Sequence, residues 1–101
     1  MLSRDAIPHL EKTNGSILFN SSITGAHPNA DLGAYSVSKA ALNALVVALA
    51  LECGKKGVRV NGIMPAIIED TDFAKVYWNF TQRRGSKSAL FSRNIPIYLE
   101  V

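Results

Sequence analysis

The sequence predicts an α/β fold: a strand–helix–strand unit with parallel strands, forming one part of a larger doubly wound parallel sheet. Three observations carry that expectation. Ser16-Ile17-Leu18-Phe19-Asn20 is a short apolar run bounded by turn residues, too short for a helix and suited to a strand covered on both faces. Tyr35 to Cys53 contains no Gly or Pro and is rich in Ala and Leu, as a helix requires. Gly57 to Pro65 is a second strand-like run that stops at its proline.

The remaining elements follow in chain order. Residues 2–12 place apolar and charged positions at helical spacing and end at Asn14-Gly15, so they read as the tail of a helix. Ser21 to Gly25 leaves the first strand, and Pro28-Asn29 and Gly33 mark a loop that runs to about Leu32. The long helix spans roughly 28 Å at 1.5 Å per residue. Gly54 stands where a left-handed helix cap belongs. Because Ala44 to Leu51 is apolar on every side, this helix needs cover from a sheet on one face and from another helix, or a second subunit, on the other. Two strands and such a helix demand more neighbours than 101 residues supply, so residues 1–101 read as a single partial domain. After Pro65 the pattern weakens into an acidic stretch, the aromatic-rich Phe73 to Phe80 and a basic run. Residues 74–101 are read as a variable lid and tail.

Composition excludes several classes of protein. A net charge of +3 with 48% hydrophobic residues fits neither a disordered chain nor a nucleic-acid-binding arm. The single cysteine, Cys53, rules out an internal disulfide, and His9 and His27 are too few and too far apart for a metal cluster. No membrane span is predicted, because the densest apolar run, Ala40 to Leu51, carries Asn43 and ends at Glu52. The charged N-terminus does not resemble a signal peptide, so a soluble, cytoplasmic protein is expected, with a mitochondrial or peroxisomal location also compatible. The bland readings of other conspicuous residues are structural. Cys53 is a small buried apolar residue, His27 a loop residue, the Phe73–Phe80 aromatics packing, and Arg83, Arg84, Lys87 and Arg93 a solvated surface.

Chemistry concentrates at three positions. Tyr35 and Lys39 are four apart at the start of the long helix and therefore share one face. An isolated phenol ionises near about pH 10, and an ammonium one turn away stabilises its charged form. Ser22 lies thirteen residues before Tyr35, just past the carboxyl end of the first strand, where open α/β sheets place their ligand crevices.

Taken together, Asn14 to Ser22, Ala34 to Leu42 and Val58 to Pro65 resemble the short-chain dehydrogenase/reductase family over about residues 5–73. The resemblance implies a Rossmann-like domain that transfers a hydride between NAD or NADP and a small-molecule alcohol/carbonyl substrate, in a homo-oligomer. It implies that Ser22 positions the substrate oxygen, that Tyr35 transfers the proton, and that Lys39 supports Tyr35 and holds the nicotinamide ribose. Asn61 matches the family's strand asparagine, and Pro65, Ala66, Ile68 and Thr71 fall in the segment that covers the cofactor. Two departures stand out. Pro65-Ala66 replaces the usual Pro-Gly, with Thr71 one residue further on than the family has it. No Gly-x-Gly-x-x-Gly occurs, so the glycine turn that would hold the pyrophosphate is not in this sequence. The expectation is therefore the catalytic half of such an enzyme, with little activity by itself. The alternative is a non-catalytic interaction module that associates through helix 35–53.

Overall fold

A computed structural model describes residues 2–68, 70–83 and 97–99. Helix α1 (Leu2–Glu11) leads through a turn with Asn14 at φ 49° into strand β1 (Ser16–Asn20). Two single 3-10 turns, Ile23–Gly25 and Ala30–Leu32, precede the long helix α2 (Gly33–Gly54). Strand β2 (Arg59–Met64), helix α3 (Asp72–Arg83) and strand β3 (Ile97–Leu99) follow. The sheet order is β1-β2-β3. β1 and β2 are parallel, in register from Ser16 against Arg59 to Asn20 against Ile63, with α2 as their crossover. This is a partial Rossmann-like α/β unit. The tail adds β3, which runs antiparallel to β2, a common arrangement at the margin of a parallel sheet.

The strand period of two decides which residues meet the helices. Ile17 and Phe19 lie on the same face as their register partners Val60 and Gly62, and Val58, Val60 and Met64 are buried. Val46, Leu49 and Cys53 of α2 join Val58 and Val60 in the core, with Ile7 and Leu10 of α1 packed against them. Val46 is fully buried, and a Cβ at Gly62 would meet its two methyls at 3.4 and 3.6 Å, ordinary van der Waals contact. Cys53 is a buried packing residue, as its sequence context suggests.

Three details differ from expectation. β1 is covered on one face only: Leu18, on the other, is 65% exposed, because no described element packs there. α2 is not buried all round either, since Val37 and Leu51 remain 70% and 68% exposed. The left-handed residue is not Gly54, which is helical, but Gly57 at φ 76°, where the Asn14 side chain fills the space a Cβ would take. By length and composition α2 could cross a membrane. Both its ends, however, return to adjacent hydrogen-bonded strands of one sheet.

Candidate active site

The site grows from the carboxyl ends of the two parallel strands. Their ladder continues past Asn20: the Ser21 N–H donates to the Ile63 carbonyl at 2.8 Å and the Ile23 N–H to the Pro65 carbonyl at 3.1 Å. Ser22 is thereby held beside Pro65. Its backbone is extended (φ −158°, ψ 151°), and its side chain caps the first 3-10 turn by accepting from the Thr24 N–H at 3.3 Å. The Thr24 hydroxyl donates to the same Ser22 oxygen at 3.0 Å, and both side chains are buried.

Helix α2 carries a polar line at i, i+4 and i+8: Tyr35, Lys39 and Asn43. Lys39 Nζ donates to the Asn20 carbonyl at 3.1 Å and stands 5.6 Å from the centre of the Tyr35 ring. Asn43 receives a hydrogen bond from Ser21 and donates weakly to Met64 Sδ at 3.4 Å, while Ser21 also reaches the Lys39 carbonyl at 3.4 Å. Gly25 makes this fit possible. A Cβ there would come within 2.7 Å of the Lys39 carbonyl carbon and of Asn43 Nδ2.

A cavity of about 240 Å³ opens here, lined by the residues that the sequence nominated for catalysis and cofactor contact, Ser22, Tyr35, Lys39, Pro65, Ala66, Ile68 and Thr71, though not by Asn61. Thr71 has a second occupation. Its hydroxyl donates to the Ile68 carbonyl at 2.9 Å and accepts from the Ala74 N–H at 3.1 Å, capping α3. The lengthened segment before it turns through Asp70 at φ 65°. α3 then brings aromatic rings to the mouth. Phe73 lies 5.5 Å from Tyr35, ring centre to ring centre, and stacks on Tyr77 at 6.4 Å. Asn29 Nδ2 donates to the Tyr77 hydroxyl at 2.7 Å, tying α3 to the loop before α2. A second, apolar space of about 210 Å³ adjoins, sharing Leu32, Phe73 and Tyr77. Phe73 and Tyr77 are thus wall residues of the cavity as well as packing residues. His27 is exposed and does not line it.

A family model described as short chain dehydrogenase matches residues 1–81. The chain belongs to that family. Among similar proteins are the human dehydrogenase/reductase SDR family member 2, mitochondrial, 43% identical over 76% of this chain and 27% of the relative, and the pig dehydrogenase/reductase SDR family member 4, 39% identical over 77% and 28%. A 7alpha-hydroxysteroid dehydrogenase of Clostridium sardiniense is 39% identical over 65% of this chain and 26% of its own length. The chain thus spans under a third of the length of these three relatives. As a short-chain dehydrogenase chain, it has its Ser22, Tyr35 and Lys39 at one crevice. Sequence inspection overlooked Ser21, Thr24, Gly25 and Asn43. The signal for Asn43 was present, one further turn along the Tyr35–Lys39 line, but Gly25 looked like any turn glycine.

The described residues contain no cluster of His, Cys, Asp or Glu suited to a metal ion. The basic run beyond Arg83 lies outside the described residues.

Proposed function

We propose that this chain is the catalytic part of an oxidoreductase that exchanges a hydride between NAD or NADP and an alcohol/carbonyl substrate. One observation carries the reading: Ser22, Tyr35 and Lys39 line a single cavity at the carboxyl ends of parallel strands, with the Lys39 ammonium beside the Tyr35 ring. Nicotinamide, when bound, supplies or accepts the hydride. Lys39 spends one of its three N–H donors on Asn20, leaving two for a ribose diol, and the Pro65–Ile68 segment forms the facing wall. Those residues suit the nicotinamide-ribose end of the cofactor. Thr71 suits it less, its hydroxyl being engaged as a helix cap.

In the reductive direction Ser22 donates a hydrogen bond to the carbonyl oxygen, and Tyr35 delivers a proton to that oxygen as negative charge builds on it. The Lys39 ammonium stabilises the phenolate left behind. In the oxidative direction Tyr35 takes the proton back from the alcohol. The aromatic wall of Phe73 and Tyr77 with Leu32 supports a substrate whose carbonyl adjoins an apolar group.

Association through α2 is supported by a pattern along its open face. Val37, Ala40, Ala44, Val47 and Leu51 are all exposed and spaced alternately by three and four residues, the seam of a paired helix. The same seam favours the second reading, an interaction module without turnover.

A hybrid that joins the pig relative's segment preceding the match to this chain tests the reading. Oxidation of NADH or NADPH with a panel of ketones is the assay. Turnover that disappears in Tyr35→Phe, with circular dichroism unchanged, is the expected result; full turnover in that variant overturns the proposal. An inactive hybrid that still forms a dimer, lost in Leu51→Glu, favours the second reading.

A further inference from the structure

The Ser22 hydroxyl has one proton and two acceptor lone pairs. Both acceptor positions are filled from within the same turn, by the Thr24 N–H at 3.3 Å and the Thr24 hydroxyl at 3.0 Å. We infer that Thr24 is a positioning residue that makes Ser22 an obligate donor: with its lone pairs occupied, the Ser22 proton points into the cavity toward the substrate oxygen.

Ser22 and Thr24 are both buried and both line the cavity, so the Ser22 hydroxyl meets solvent or substrate through the cavity. The two-residue separation is set by the 3-10 turn, which aims the Thr24 N–H and its side chain at the same oxygen. A serine free to accept as well as donate could present a lone pair to a substrate oxygen, which would repel it. A serine already accepting twice presents only its proton. That bond strengthens as the substrate oxygen gains negative charge, so the arrangement favours the charge-developing state over the resting carbonyl. Donation from Thr24 also polarises the Ser22 O–H bond in the cooperative direction.

The inference rests on reading Ser22 as the group that holds the substrate oxygen, but its test needs no turnover. The full chain, labelled with carbon-13 at serine and threonine Cβ, is examined by NMR in mixed light and heavy water. A hydroxyl committed to a protein acceptor exchanges slowly and splits its Cβ signal into two isotopic lines; a hydroxyl facing the open cavity exchanges rapidly and gives one. Thr24 is expected to show two lines and Ser22 one, with Thr24→Ser retaining the split signal at position 24. Two lines at Ser22, or one at Thr24, overturns the inference by showing that the donor and acceptor are reversed or uncommitted. Failure of the hydride-transfer reading appears separately, as turnover unaffected by Tyr35→Phe.

Discussion

Replacing Gly25 by alanine tests whether the site depends on close approach of a loop to a helix. The added Cβ would lie 2.7 Å from the Lys39 carbonyl carbon, 2.8 Å from its oxygen and 2.7 Å from Asn43 Nδ2. Ordinary contact begins near 3.4 Å, so the 3-10 turn and α2 must part by about 0.7 Å. Two of the three atoms are helix backbone, which cannot swing aside as a side chain can. Overpacking of this kind costs about 1–3 kcal/mol. With a urea m-value of about 2 kcal/mol/M for a small domain, the unfolding midpoint should fall by about 1 M. The separation also lengthens the bonds from Ser21 to Asn43 and to the Lys39 carbonyl, so amide signals of Ser21, Ser22 and Lys39 should shift together. Gly54→Ala is the control. That glycine is helical, has open space around it, and its replacement should be neutral or stabilising by up to about 1 kcal/mol. Equal midpoints for Gly25→Ala and the wild type would refute the close-approach argument.

Three further outcomes are expected. Ser36→Ala should raise the unfolding midpoint, by about 1 kcal/mol in free energy, because the buried Ser36 hydroxyl has no hydrogen-bond partner among the described residues and alanine is the better helix former; a loss of stability would reveal a partner for it. Tyr77→Phe removes the acceptor of the Asn29 amide and should loosen the tie between α3 and the loop. The single tryptophan, Trp78, then becomes more accessible to acrylamide quenching; unchanged quenching would show that the bond does not hold the helix. Lys56 keeps its proton above the ordinary 10.5, chiefly through a hydrogen bond to Glu11 and then through that carboxylate's charge. Its folded-state pKa being raised, the pair stabilises the fold below the unfolded value and loses that contribution as pH rises through the folded one. Lys56→Met should therefore show a shallower loss of stability on alkaline titration, a difference that shrinks at high salt because the pair is exposed; identical alkaline limbs at low salt would contradict the coupling.

How much was legible beforehand varies by element. Ser16–Asn20 reads as a strand because five apolar-centred residues between turn formers leave few alternatives, and it forms over those residues. The Tyr35–Lys39 pair reads as one face because helical periodicity is a local property. The ends of α2 were less visible: helix geometry runs through Gly54, and the left-handed turn waits for Gly57, where Asn14 approaches from a distant part of the chain.

The sequence by itself determined α1, β1, α2 and β2, the parallel crossover and the three chemistry-bearing side chains, since each depends on spacing and local preference; α3 and β3 lie largely in the stretch it left as a lid and tail. Tertiary structure alone decided the surroundings of those side chains. That Thr24 occupies both lone pairs of Ser22, that Ser21 clasps Asn43, and that Gly25 must lack a side chain all follow from distances between a loop and a helix. Phe73 becomes a wall of the site only because Thr71 starts a helix that turns its aromatic face back onto Tyr35. Sequence periodicity specifies direction along one element. The separation between elements is set by packing, where a few tenths of an ångström decide whether two groups bond or collide.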